Sequence, residues 1–156
     1  MRANMQKLFL TFFYSGLSPK APGTAGSIVA TLLGVLIIWY ISMETLVLLT
    51  ILFTLLGVKA IDAYEKTSET HDDKSIVIDE VVGVWIALIL SSGSITQIIA
   101  SFAFFRLFDI WKPSLIGRID RNVNGGWGVM GDDILAGICA GICSAGIFQV
   151  LNYALN

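Results

Sequence analysis

Charge is scarce in this chain. Lys and Arg number 10 and Asp and Glu 12 in 156 residues, and from Ile134 to Asn156 there is no charged side chain at all. A soluble domain of this length needs a polar coat, which so few ionisable groups cannot supply. With 55% hydrophobic residues and a mean hydropathy of +0.77, lipid must solvate much of the surface. Cysteine is nearly missing too. Cys139 and Cys143 stand four apart in the uncharged C-terminal run; they offer no disulfide framework and, without neighbouring His or further Cys, no plausible zinc site, so packing is their expected role. The sole histidine, His71, lies in the polar stretch "SETHDDKS", which reads as a solvated charge run with one group able to titrate near neutral pH. A net charge of −2 without a basic tract excludes nucleic acid as a partner. The first long apolar run starts well inside the chain and lacks a processing site, so no cleavable signal peptide is expected.

What is abundant is long apolar sequence. A span takes about 20 mostly apolar residues, and Ala25 to Met43 and Thr45 to Ile61 form a pair separated by a tight turn at Glu44. The next uncharged stretch, Val81 to Phe105, is interrupted by "SSGS", a turn signal. It divides into two short helices, Ile76 to Ser92 and Ile95 to Trp111, and Asp132 to Leu155 makes the last span. Met5, Leu8, Phe9, Phe12 and Phe13 recur at helical spacing ahead of the first span, either as an amphipathic interfacial helix or as packing against the bundle. The expectation is one all-α, membrane-embedded domain over residues 1–156, with about five membrane helices and a short amphipathic N-terminal helix. Five spans place Arg2, Lys7, Lys20, Lys59, Lys66, Lys74, Arg106, Lys112, Arg118 and Arg121 all on one side, which the positive-inside rule makes cytoplasmic; four would push the Arg106–Arg121 group outside.

The acids then converge. Asp79 and Glu80 fall about one turn inside the third helix, Arg106 and Asp109 near the end of the fourth, and Asp132 and Asp133 at the start of the fifth, all towards one membrane side. Acids in a first turn gain a little from the helix dipole, which is the structural explanation for Asp132 and Asp133. Against it, Asp133, Gly137, Gly141 and Ala145 form a small-residue stripe that packs closely on neighbouring helices and turns Asp133 into the bundle. Acids from several helices repel one another there unless a cation sits between them. Carboxylates without Cys or a His cluster select a hard cation, Mg²⁺ first. Arg106, Asp109 and Lys112 climb one helix face until Pro113 stops it, so one acid can serve metal and two cations a phosphate; an Arg106–Asp109 salt bridge is the plainer reading. In "SPKAPGTAGS", Pro22 can open a helix, Thr24 or Ser27 can offer hydroxyls, and Gly23 and Gly26 allow backbone N–H groups near an anion. Gly26, Ala30 and Gly34 equally make a packing stripe.

The segments "GLSPKAPGTAGS", "HDDKSIVIDEVVGVWIAL" and "FRLFDIWKPSLIGRIDRNVNGGWGVMGDDILAG" closely resemble the phosphatidylglycerophosphatase A family of bacterial membrane phosphatases, from about Gly16 to Ile142. The resemblance implies a Mg²⁺-dependent enzyme of the cytoplasmic (inner) membrane that converts phosphatidylglycerophosphate to phosphatidylglycerol. The family's polar positions carry over as Thr24, Asp79, Glu80, Arg106, Asp109, Lys112, Asp120, Arg121, Asp132 and Asp133. One departure is "KPSLI" at Lys112 to Ile116, where the family often reads Lys-Pro-Trp-Pro-Ile.

Residues and resemblance together make Asp79, Glu80, Asp109, Asp132 and Asp133 the expected Mg²⁺ ligands. Asp79, Asp109 and Asp133 are the catalytic candidates, and Thr24, Arg106, Lys112 and Arg121 the phosphate binders. Attack by an activated water and an aspartyl-phosphate intermediate both stay open. Cys-based and His-based phosphatases fail on inventory. An ion or solute transporter is the alternative, since acids inside a bundle also mark ion paths, though near the midplane. A phosphoalcohol transferase lacks its aspartate pattern here, and a purely structural subunit leaves the acids unexplained.

Overall fold

The computed structural model describes residues 3–68, 73–91 and 94–155; Arg2, His71 and the Ser92–Gly93 centre of "SSGS" lie outside the described residues. Every regular element is helical: α1 (Ala3–Leu10), a 3-10 turn (Ser15–Leu17), α2 (Pro22–Tyr40), α3 (Met43–Glu65), α4 (Ile78–Ile89), α5 (Ile95–Trp111), α6 (Leu115–Asn122) and α7 (Gly126–Leu155). The expected all-α bundle is therefore what the chain forms.

Local chemistry sets the ends. Pro22 opens α2 at its first turn, where a missing N–H costs nothing. Ser42 and Ser94 cap α3 and α5 by accepting from the backbone N–H groups of Thr45 and Gln97. Lys112 leaves α5 in the left-handed region, φ 45°, and Pro113 follows. The last helix starts six residues earlier than its expected Asp132. Gly125 takes a φ of 74° and the Asp62 side chain accepts from the Gly126 N–H at 2.7 Å, so a cap from α3 starts α7 where the sequence shows only glycines. Asp132 and Asp133 thus lie in the second turn, beyond the strongest part of the helix dipole. Conversely, α4 begins at Ile78, two residues later than expected, which puts Asp79 and Glu80 in its first turn.

Three helices, α2, α3 and α7, are long and apolar enough to cross a membrane. At 1.5 Å per residue they measure about 29, 35 and 45 Å. Their outward faces, with Ile28, Leu32 and Leu36 on α2, Leu48 and Ile51 on α3 and Ile142 and Val150 on α7, are exposed and apolar, as a lipid-facing surface must be. The two helices expected to be short, α4 and α5, are about 18 and 26 Å long and form a hairpin. Leu90 beyond the end of α4 packs on Gly141, and Ser144 donates to the Gln97 carbonyl at 3.0 Å. The hairpin thus turns back part-way along α7 and brings the first residues of α4 and the last of α5 to one end of the bundle, beside the starts of α2 and α7.

At the centre sits α4, buried on nearly every side: Ile78, Val81, Val82, Gly83, Val84, Trp85, Ala87 and Leu88 are all inaccessible, packed on α2, α3, α5 and α7. Trp85 donates its indole N–H to the Ala30 carbonyl of α2 at 2.9 Å and meets Phe12 and Phe53 edge-on or tilted. Phe9 and Phe12 therefore follow the packing reading of the N-terminal segment, while Met5 and Phe13 stay exposed. Both small-residue stripes are contact surfaces. Gly26 and Gly34 of α2 lie against Val77 and against Trp85 and Leu88. A Cβ on Gly137 would stand 2.2 Å from the Gly83 carbonyl oxygen, and one on Gly83 2.7 Å from that of Asp133, so α4 and α7 touch backbone to backbone. Cys139 and Cys143 are free thiols, partly exposed on α7.

Because backbone atoms cannot swing aside, Gly137→Ala should destabilise the protein by about 1–3 kcal/mol, the usual cost of overpacking. Gly146→Ala, with nothing within 4 Å of its added methyl, should be neutral or stabilising by up to about 1 kcal/mol. Thermal unfolding of the two variants in one detergent checks the contrast.

Candidate active site

The end of the bundle where α2, α4, α5 and α7 meet holds a cavity of about 340 Å³. Its wall includes Gly23 and Thr24 of α2, Asp79 and Glu80 of α4, Arg106 and Asp109 of α5, Lys112, and Asp132 and Asp133 of α7. Eight of the ten expected positions, all but Asp120 and Arg121, thus share one space, although they come from four helices or their ends.

Three of the acids are closest. One carboxylate oxygen each from Asp79, Glu80 and Asp133 lie within 4.8 Å of one another. Asp79 Oδ1, Glu80 Oε2 and Asp132 Oδ1 are buried without a hydrogen-bond partner among the described residues. A buried carboxylate oxygen lacking a donor costs several kcal/mol, and like charges at this range repel strongly. Hard oxygen donors converging from two helices suit a small divalent cation such as Mg²⁺, which binds through carboxylates and shares the rest of its shell with water and phosphate. Of the five expected ligands, Asp79, Glu80 and Asp133 form this cluster. Asp132 and Asp109 each have a cationic partner as well.

Arg106 is that partner for Asp109, in an intrahelical salt bridge. The guanidinium also donates to Ser27 Oγ and Thr24 Oγ1 on α2, both at 3.3 Å, and its Nε stays buried and unpartnered. Thr24 and Ser27 therefore hold the arginine, a role their own segment does not announce. Ser27 in turn donates to the Gly23 carbonyl at 2.7 Å. Gly23 itself allows the approach, since a Cβ there would stand 2.3 Å from Glu80 Oε1 and 3.4 Å from Arg106.

Lys112 bridges two acids, donating to Asp132 at 2.7 Å and Asp120 at 2.6 Å. Burial opposes its charge, but the hydrogen bonds and negative charge of Asp120 and Asp132 outweigh that and hold the ammonium above the ordinary lysine range. It is cationic throughout the neutral range. Asp120 ties α6, a helix the sequence reading did not anticipate, to the cavity through this bridge. Arg121 stands apart on the exposed face of α6, its guanidinium near Gly117 and outside the cavity wall.

Sequence reasoning missed the outer wall, formed by Tyr64, Glu65, Asp73 and Lys74. Tyr64 donates to Asp73 Oδ2 at 2.6 Å and the Ser75 N–H to Oδ1 at 3.0 Å. The Tyr64 hydroxyl first, then that N–H, holds the Asp73 carboxyl below the usual carboxylate range. The signal was the "DDKS" within the charge run, since an Asx-type turn of this kind fixes a loop.

Residues 8–148 match the sequence model of the family described as phosphatidylglycerophosphatase A. The chain belongs to the phosphatidylglycerophosphatase A family. Phosphatidylglycerophosphatase A of Escherichia coli (strain K12) is 38% identical over 97% of the chain and 86% of the relative. The Haemophilus influenzae protein of the same name is 43% identical over 82% and 79%. A Bacteroides thetaiotaomicron protein with the provisional name phosphatidylinositol-3-phosphatase is 39% identical over 82% and 84%. No solved structure matches the chain. The family match extends across the four cavity-forming helices α2, α4, α5 and α7 and ends within the last of them.

Two substitutions test the geometry. Gly23→Ala should displace the Glu80 carboxylate and lower phosphatase activity about tenfold or more, the scale of misplacing one catalytic group, with a melting temperature close to that of the unaltered protein. Asp73, held low, contributes stability that is complete above about pH 4 and is lost as pH falls through its depressed folded value. Tyr64→Phe should raise the Asp73 pKa and move the acid limb of the stability profile upward, measurable by melting temperature between pH 3 and 6.

Proposed function

We propose that the protein hydrolyses phosphatidylglycerophosphate to phosphatidylglycerol and inorganic phosphate, using Mg²⁺, at the cytoplasmic face of the bacterial inner membrane. Membership of the family and the names of two relatives support the substrate. The observation that carries the chemistry is the Asp79–Glu80–Asp133 cluster beside a braced Arg106 in one cavity. The described basic residues, from Lys7 and Lys20 to Arg118 and Arg121, gather at the cavity end of the bundle, whereas the α2–α3 turn carries only Glu44; this asymmetry supports a cytoplasmic site.

In this reading Asp79, Glu80 and Asp133 hold Mg²⁺, with the unpartnered Oδ1 of Asp132 within the same wall. The ion, when bound, offsets negative charge on the phosphoryl oxygens. Arg106 presents fixed N–H donors to the same group, oriented by Asp109, Thr24 and Ser27, so little reorganisation accompanies the reaction. Lys112 adds positive charge at the cavity edge. Asp79 or Asp133 accepts a proton from the attacking water, the glycerol oxygen is displaced in line, and the proton held by the aspartate passes to that departing oxygen to give the alcohol. Phosphate trapped on an aspartate would replace that water by a carboxylate nucleophile. A transporter is the weaker reading, because the acids stand at one end of the bundle and below them Gly83, Gly137 and Phe105 pack without space for a methyl group.

Purified protein in mixed micelles should release inorganic phosphate from phosphatidylglycerophosphate with Mg²⁺ and stop with a chelator. Asp133→Asn should reduce the rate about a hundredfold or more, some 3 kcal/mol of barrier. Phosphatidylinositol 3-phosphate belongs in the same assay, given the Bacteroides relative. Faster turnover of that lipid would change the substrate, and no hydrolysis of either with any divalent metal would remove the proposal.

A further inference from the structure

A separate apolar groove lies further along two of the cavity's helices. Between α2 and α5 runs a groove of about 200 Å³ lined by Ile28, Thr31, Leu32, Ile98, Ile99 and Phe102, with no polar surface. Its position follows from helix periodicity. Ile28, Thr31 and Leu32 are four, seven and eight residues after Thr24, and Phe102, Ile99 and Ile98 are four, seven and eight before Arg106; each set shares one helix face with the polar residue that heads it. Thr24 and Arg106 are hydrogen-bonded to each other across the two helices. The groove therefore begins about one helical turn from the guanidinium that borders the cavity and reaches Leu32, about 12 Å along α2 from Thr24.

Its chemistry is that of a site for hydrocarbon. Ile28, Leu32 and Ile99 are exposed to roughly half or more of their surface, and the Thr31 hydroxyl is spent on the Ser27 carbonyl at 2.7 Å. At the top, Pro22 and Ile110 line the cavity on the same α2–α5 side, and Ile110 is 72% exposed. An apolar path thus connects the cavity's edge to lipid on this side.

We propose that the α2–α5 groove seats an acyl chain of the lipid phosphate whose headgroup occupies the cavity, so that substrate enters laterally between these two helices. The proposal rests on the hydrolase reading for the identity of the headgroup, and commits to an acyl chain because the groove lies along a helix apolar enough to span a membrane, has an apolar surface and starts about one turn from the phosphate-facing arginine. A charged or peptide ligand would find no partner in it.

Two measurements test it. A phosphatidylglycerophosphate analogue with a photoreactive group midway along one acyl chain should label residues 28–32 of α2 and 98–102 of α5, whether or not it is turned over. Label on α1 or α3 instead would overturn the groove while leaving the hydrolase reading intact. For turnover, Ile28→Trp and Ile99→Trp fill the groove. Each should lower the ratio of kcat/KM for a long-chain substrate to that for a water-soluble short-chain substrate about tenfold, whereas Leu48→Trp on the outer face of α3 should leave the ratio unchanged. An unchanged ratio in both groove variants would overturn the proposal. Should a Trp variant not fold, Ile28→Ala with Ile99→Ala replaces it, with a lowered ratio again expected through lost chain contact and an unchanged one counting against the groove.

Discussion

Everything at the functional end depends on how closely α7 can approach α4. With Gly137 against the Gly83 carbonyl and Gly83 against that of Asp133, the two helices meet without intervening side chains. That distance lets Asp133 reach the carboxylates of Asp79 and Glu80. A larger residue at either glycine would separate the acids by the width of a methyl group or more and break up the three-carboxylate cluster. Close packing is thus what makes the cluster possible, and it explains why a chain that needs lipid-facing helices of Leu, Ile and Val keeps glycines where α4 and α7 meet.

The cluster also explains the short hairpin. A hairpin whose two ends open at the same end of the bundle lets α4 and α5 both deliver polar residues there, which a single helix running through to the far side would not. In α4, the first turn carries Asp79 and Glu80 while the remainder is enclosed by α2, α3, α5 and α7. Burial on all sides fixes the helix and so fixes the two acids on it. α5 then returns Arg106 and Asp109 to the same level, and hydroxyls from α2 brace the guanidinium. The energetic tension of gathering acids in a poorly solvated cavity is met partly by Lys112, bound to Asp120 and Asp132, and by Arg106, bound to Asp109, and the unpartnered oxygens of Asp79, Glu80 and Asp132 mark where compensation is still missing.

How much of this was legible in sequence depends on the range of the interaction. α5 could be read to its exact ends because a serine cap and a proline stop are local. The early start of α7 could not, since its cap, Asp62, is 64 residues away and the glycines between suggest a loop. α6 went unseen for a similar reason: eight residues with mixed charge, held in place by the Lys112–Asp120 bridge. In the site, the small-residue stripe correctly turned Asp133 inward. Thr24 was picked out as a phosphate ligand, yet it is hydrogen-bonded to Arg106 across 82 positions, which no periodicity reveals. Tyr64, Glu65, Asp73 and Lys74 were missed because a solvated charge run and a cavity wall have the same composition.

Apolar grooves along transmembrane helices are ordinarily lipid-filled and uninformative. The α2–α5 groove differs in what stands at its head. Arg106 lines the polar cavity and shares its α5 face with Phe102, Ile99 and Ile98 of the apolar cleft, which starts about one turn away, so a molecule that satisfies both environments at once must carry an anionic group and a hydrocarbon chain joined within about one helical turn. A free phosphate satisfies only the first and a neutral lipid only the second. On the groove reading, the arginine's position selects amphiphiles as a class, before any particular headgroup is recognised.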